Sequence, residues 1–118
     1  MNVHLPIPDA PVEEEDFFDM ANLRPKTTGL PMTIWVRHRG HARHDARVKV
    51  CRALGDKIDV DDMAVVGICP QPALIEGALD AASLKVVQQW IVLNSDVLIG
   101  YWEGELDTAE MLQSLQKI

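Results

Sequence analysis

Three of the four histidines lie close together in one short polar segment. His38, His41 and His44 are separated from each other by two residues, and arginines stand between and beside them. Three imidazoles that leave a fourth position open are a known zinc arrangement, although neighbouring arginine charges repel a dication. We therefore predict no metal and no cofactor, with His38, His41 and His44 as the candidate ligands should a metal bind.

The same segment contains residue types used in acid–base catalysis. His44 and Asp45 are consecutive and have basic neighbours on both sides. Successive residues of a strand point to opposite faces, so the two cannot act as a dyad unless the strand bulges. The sequence contains no nucleophile elbow, glycine-rich phosphate loop or Cys-x-x-Cys motif. We assign no catalytic residue, and a small toxin-like enzyme of the ribonuclease type, using His41 or His44, is the alternative hypothesis.

Basic residues around an aromatic ring suggest binding instead. Such a surface suits the backbone and bases of single-stranded nucleic acid, or an acidic peptide. An ordinary charged sheet face, with arginine stems packed on the tryptophan, would show the same pattern. We predict a non-catalytic interaction domain whose basic hairpin face contacts a protein or nucleic-acid partner. This basic hairpin face consists of six residues: Trp35, Arg37, Arg39, Arg43, Arg47 and Lys49.

Two strands are needed to hold that face. Apolar and polar residues alternate in residues 32–37 and again in residues 45–50, with the apolar ones at even numbers. This period of two is typical of half-buried strands. Gly40 lies between the two segments and favours an antiparallel hairpin.

The register of that hairpin follows from charge pairing. Registers that bury both apolar sets differ by steps of two residues, and two of the three compared place Arg37 opposite another arginine. The third places Arg37 opposite Asp45 and Trp35 opposite Arg47, with a five-residue loop over residues 39–43. Opposite charges and a cation over a ring stabilise cross-strand pairs, so we predict this register.

Helices are predicted in the last third of the chain. Asp80 suits an N-cap, and Asp107 with Glu110 forms a capping box. Residues 94–96 resemble a stop and restart, which gives two to three helices. Three aromatic residues on the apolar stripes are expected in the core: Trp90, Tyr101 and Trp102.

The order of strands before helices indicates an α+β fold. An apolar run at residues 63–69 predicts a central strand, and residues 73–78 could add another. We therefore expect a small antiparallel sheet of three to four strands, followed by two to three C-terminal helices on one face. This single domain spans residues 30–118.

Residues 1–29 are predicted to form a flexible acidic tail. Six of the acidic residues and none of the basic ones lie in residues 1–23, whereas residues 37–57 carry seven basic residues against two acidic ones. A short helix over residues 13–21 is expected, and the tail could dock on the basic hairpin face. A tail that only aids solubility would have the same composition.

Composition excludes several classes of protein. The 118 residues carry a net charge of −7, which disfavours nonspecific binding to DNA or acidic lipid by the chain as a whole. The central uncharged stretch, residues 63–75, is shorter than the roughly 20 apolar residues of a membrane-spanning helix. The acidic beginning does not resemble a signal peptide, and two cysteines cannot form a disulfide framework. We expect a cytoplasmic protein with free thiols and no membrane partner.

Two segments, residues 43–50 and residues 90–110, resemble a group of small bacterial proteins classed as domains of unknown function. The second segment carries Trp90-Ile91-Val92-Leu93-Asn94 and Tyr101-Trp102-Glu103-Gly104. A larger group labelled toxin-like is distantly similar and has a His-x-His segment before its second strand, where this chain has His41-x-x-His44. The resemblance covers roughly residues 30–118 and implies the α+β fold and a bacterial, cytosolic origin, without an activity.

Overall fold

The computed structural model describes residues 20–40 and 42–118. Within them, one antiparallel sheet contains five strands in sequence order: β1 (Met20–Leu23), β2 (Met32–Arg37), β3 (Arg47–Leu54), β4 (Met63–Gly67) and β5 (Ala73–Glu76). The helices are α1 (Pro25–Thr28), α2 (Ala81–Trp102) and α3 (Thr108–Ser114). The α+β prediction is confirmed, with one strand more than expected. In these two ranges, no helix combines the length and apolar composition needed to cross a bilayer.

The additional strand corrects the predicted tail boundary. β1 pairs with β2, and Leu23 is buried opposite Ile34, so the folded domain includes residues 20–29. Met20 and Ala21 are therefore strand residues and not the end of a helix. α1 ends at Gly29, whose φ of 82° suits glycine. The predicted tail before Met20 lies outside the described residues.

The main core lies between the sheet and α2. The even-numbered residues from 32 to 36 and from 46 to 50 face it, as the alternation predicted, and the three aromatic residues of α2 are buried there too. The opposite face of β2 is also covered, because Thr33 is inaccessible and Trp35 is only 8% exposed. On that side the Cys51 thiol donates a hydrogen bond to the Lys57 carbonyl at 3.3 Å. β2 is thus buried on both faces, not on one.

The predicted register between β2 and β3 is wrong. Trp35 lies opposite Lys49 and not opposite Arg47. Asp45 precedes the first residue of β3, so it does not pair with Arg37 across the strands. The connection between the strands covers residues 38–46 and is longer than the predicted five-residue loop.

Local hydrogen bonds explain why charge pairing failed as a guide. Ile34 pairs with Val50 and Trp35 with Lys49, which is the register that the prediction rejected because it aligns Arg37 with Arg47. The paired residues end at Trp35 and Lys49. The Arg37 guanidinium donates through Nε to the His38 carbonyl at 2.9 Å. The Arg47 guanidinium donates in the same way to the Asp45 carbonyl at 3.3 Å. Each arginine thus has a hydrogen-bond partner within two residues of it along the chain.

Both predicted helix caps are present. The Asp80 carboxylate accepts a hydrogen bond from the Ser83 amide at 2.6 Å, and this bond lowers the pKa of Asp80. Asp107 and Glu110 form the reciprocal capping box. The predicted break corresponds to a kink in α2 at Asn94, whose dihedral angles are non-helical and across which two helical segments join.

Asn94 connects α2 to the C-terminal segment. Its amide donates to the Gln116 carbonyl at 3.0 Å and accepts from the Gln116 amide at 2.7 Å. The Ile118 amide then donates to the Thr28 carbonyl at 2.9 Å. A Cβ on Gly29 would lie 2.5 Å from the Ile118 oxygen, so the segment packs directly on the end of α1.

Candidate binding site at the hairpin end

The connection between β2 and β3 is anchored on the C-terminal end of α2. The Arg39 amide donates to the Trp102 carbonyl at 2.7 Å, and His38 donates through Nδ1 to the Tyr101 carbonyl at 3.0 Å. Carbonyls at a helix C-terminus lack partners within the helix and carry partial negative charge. A basic, donor-rich segment therefore suits this helix end.

Two histidines pack on the aromatic residues at this end. The His38 ring lies 4.1 Å from Tyr101 and the His44 ring 5.4 Å from Trp102, measured between centroids. His44 donates through Nδ1 to the Asp45 carbonyl at 3.0 Å. In the neutral imidazole, this tautomer leaves His44 Nε2 as a hydrogen-bond acceptor.

A cavity of about 470 Å³ opens beside this anchor. Three separate segments form it: the β2–β3 connection, the residues after β4 and the end of α2. Trp102 lines the cavity but is only 4% exposed. The cavity therefore has a polar rim over an aromatic floor. The charged and titratable side chains of its lining are Arg39, Arg43, His44, Asp45, Cys69 and Glu103.

The two arginines of the cavity have unused donor capacity. Arg39 is 57% exposed and lies 3.8 Å from Glu103 at the closest nitrogen–oxygen distance, which makes a weak surface ion pair. Among the described residues, Arg43 has no ion pair or side-chain hydrogen bond. A planar guanidinium binds a carboxylate through two parallel hydrogen bonds. The cavity can therefore bind a carboxylate without first breaking a strong internal contact.

The lining is balanced in formal charge. Two arginines face two carboxylates, Asp45 and Glu103. A dense row of phosphates would meet repulsion from these acids. A single carboxylate between the arginines would not place a row of negative charges beside Asp45 and Glu103.

The other four residues of the basic hairpin face lie outside the cavity: Trp35, Arg37, Arg47 and Lys49. Trp35 is buried, and the three basic residues are half-buried. Trp35, Arg37 and Lys49 each already have an interaction partner. The strand part of the predicted face is therefore less open than its tip, where Arg39 and Arg43 are exposed.

The candidate metal ligands have other roles where they are described. His38 Nδ1 is bonded to the helix end and His44 Nδ1 to its own strand. His41 lies outside the described residues. Among residues 20–40 and 42–118, no three histidine, cysteine or acidic side chains cluster closely enough to hold a metal ion.

Sequence reasoning missed Cys69 and Glu103. Arg47 pairs with Gly67 between β3 and β4, and the same register continued by two residues brings Cys69 level with Asp45. A predicted register for β4 would therefore have placed Cys69 near the cavity. Glu103 follows the last residue of α2 and approaches Arg39 only because the hairpin end docks there. Both cysteines are free, as predicted; Cys51 is buried and Cys69 is exposed.

Comparison with protein-family models, curated proteins and solved structures found no match for this chain. The resemblance to small bacterial proteins therefore stays a prediction.

Proposed function

We propose that this protein is a binding domain and that its hairpin end holds a carboxylate of an acidic protein partner. The observation that supports this most directly is Arg43, an exposed guanidinium without an internal partner among the described residues, beside Arg39 in one open cavity. The Arg39 amide bonds to the Trp102 carbonyl and the Ala42 amide to the Arg39 carbonyl, and these bonds hold the backbone that leads to Arg43. A preorganised pair of donors loses less conformational entropy on binding than two mobile side chains.

Charge and burial favour a protein partner over nucleic acid. Nucleic-acid binding depends on several phosphates neutralised by basic residues. Here Asp45 and Glu103 offset the two arginines of the cavity. Trp35 is only 8% exposed, so a base cannot stack on it without rearrangement. An acidic side chain or a C-terminal carboxylate needs neither several basic residues nor an accessible aromatic ring on this surface.

The test compares two probes by calorimetry, an oligoglutamate peptide and a single-stranded oligouridylate. We expect the peptide to bind and Arg43→Gln to weaken it by about fivefold to tenfold, the value of one charge-assisted hydrogen bond or pair. Arg39→Gln should act in the same direction. Arg52→Gln is the matched control, because Arg52 is exposed but pairs with Asp62 on another part of β3.

Two results would contradict this proposal. Equal affinities for the peptide in the Arg43 and Arg52 variants would place binding elsewhere. Tighter binding of the RNA, with a steep loss of affinity as salt rises, would favour a nucleic-acid partner instead.

A ribonuclease of the toxin-like type is the second candidate. His44 lines the cavity, and its Nδ1 bond leaves Nε2 able to accept a proton. Cleavage of RNA that is lost in a folded His44→Ala variant would support catalysis. Without measurable turnover in the native protein, this candidate fails.

A bacterial, cytoplasmic setting is part of the same proposal. The two free thiols suit a reducing compartment, and the resemblance implies a bacterial source. Fractionation of the native cell would test the location.

A further inference from the structure

The cavity at the hairpin end contains a nucleophile that carboxylate binding does not use. Cys69 is exposed and lines the cavity together with Arg39, Arg43 and His44. The other cysteine, Cys51, is buried and its thiol donates to the Lys57 carbonyl. The chain therefore places one accessible thiol among cationic donors and keeps the other out of solvent.

We propose that Cys69 exchanges with small disulfides that carry carboxylates, and that glutathione disulfide is the cellular example. The cavity, at about 470 Å³, lies within the range of about 300–1,000 Å³ for small-molecule sites. A glutathionyl group bears two carboxylates, and Arg39 and Arg43 supply two guanidinium groups. Recognition and reaction thus occur in the same cavity.

The reaction balances without a further oxidant. The Cys69 thiol loses its proton to water or to His44 Nε2, and the thiolate attacks one sulfur of the disulfide. The sulfur–sulfur bond of the reagent breaks as a new bond forms to Cys69 Sγ. One glutathione thiolate leaves and takes up a proton. Cys69 is oxidised, and the released half of the disulfide is reduced.

This reaction would regulate carboxylate binding in the same cavity, a consequence that rests on the proposed function. A glutathionyl group on Cys69 occupies the cavity and engages the arginines that would hold the partner's carboxylate. Oxidising conditions would therefore release the partner, and reduction of the mixed disulfide would restore binding.

The test measures the reaction rate of the native protein with two chromogenic disulfides. Dithiobis(nitrobenzoate) is a dianion, whereas dithiodipyridine is neutral at pH 7. The ratio of their second-order rate constants isolates carboxylate recognition, because a change in the thiolate fraction of Cys69 affects both rates equally. We expect Arg39→Gln with Arg43→Gln to lower this ratio by about 25-fold, at about fivefold for each charge-assisted contact. Arg52→Gln should leave it within about twofold, because its guanidinium lies outside the cavity.

Location is checked with glutathione disulfide and mass spectrometry. The adduct should form on Cys69 and disappear in Cys69→Ser, while Cys51 stays unmodified in the folded protein. An unchanged rate ratio in the double arginine variant, or an adduct on Cys51, would overturn the proposal.

The two proposals can fail separately. Charge-selective exchange at Cys69 without peptide binding would support the disulfide-exchange proposal and contradict the proposed binding function. Peptide binding that depends on Arg43, without charge selectivity at Cys69, would support the binding function and contradict the disulfide-exchange proposal.

Discussion

Replacing Asn94 by alanine tests the connection between α2 and the C-terminal segment. Asn94 is 1% exposed and makes two hydrogen bonds to the backbone of Gln116. Each contributes about 1 kcal/mol net, and loss of the buried amide adds a further cost of about 1 kcal/mol. Asn94 has non-helical dihedral angles, so the helix propensity of alanine returns little of this cost. We expect Asn94→Ala to lower the free energy of unfolding by about 3 kcal/mol.

Urea unfolding provides the measurement, with an unchanged m value as the sign of intact two-state behaviour. Gln116→Ala is the matched control, because the Gln116 backbone makes these bonds and its exposed side chain does not. That variant should lose less than about 0.5 kcal/mol, as expected of an ordinary surface substitution.

Hydrogen exchange gives a local readout of the same connection. The Ile118 amide bonds to Thr28 beyond the Asn94 contact, so Asn94→Ala should speed its exchange more than that of core strand amides. Equal stability of the Asn94 and Gln116 variants, with Ile118 still protected, would refute the reasoning.

Three further predictions concern the caps, the register and the predicted tail. A hydrogen bond from Ser83 lowers the pKa of Asp80 in the folded protein. The cap therefore stabilises the fold at pH values above the pKa of Asp80 in the unfolded chain, and this stabilisation is lost as the pH falls through the pKa in the folded protein. Asp80→Asn should therefore flatten the acid limb of the stability curve, followed by urea midpoints from pH 2 to 6. A double-mutant cycle of Arg37→Glu with Asp45→Arg should show coupling near zero, because these residues do not face each other across the strands. Deleting residues 1–19, which spares β1, should shift the Trp35 indole resonance in NMR at low salt if the acidic segment docks; unchanged shifts would eliminate docking.

Periodicity predicted the strands that are long enough to show it. The even-numbered residues of β2 are buried, as are Val48 and Val50 in the first half of β3. Alternation of this kind is typical of a strand with one face on the core. The predicted strands at residues 63–69 and 73–78 correspond to β4 and β5. β1 was not predicted because its four residues are too few to show an alternating pattern.

Charge pairing was a poor guide to register for a physical reason. The prediction assumed that the charge of an arginine on a strand must be matched by the residue directly opposite it on the neighbouring strand. Arg37 and Arg47 instead bond to nearby carbonyls, and such exposed cross-strand pairs are worth too little to fix a register. Packing of β2 on both faces makes a larger energetic contribution than those pairs.

The candidate site was only partly visible in the sequence. Arg39 and Arg43 were predicted at the hairpin tip, where the structure places them. Their cavity also needs Cys69 and the end of α2, which lie more than 25 residues away along the chain. No local pattern reports how a loop docks on a distant helix end.

The sequential strand order also determines how the chain can fold as it leaves the ribosome. Each strand pairs with the one synthesised just before it, so the sheet can grow from β1 to β5 without waiting for distant partners. Its apolar face stays uncovered until α2 emerges. Synthesis of that 22-residue helix takes about one to four seconds at the usual elongation rates. Val48 and Val66 are buried in the folded protein and lack this cover until α2 has formed, so we expect a chaperone that shields them to raise the yield of folded protein.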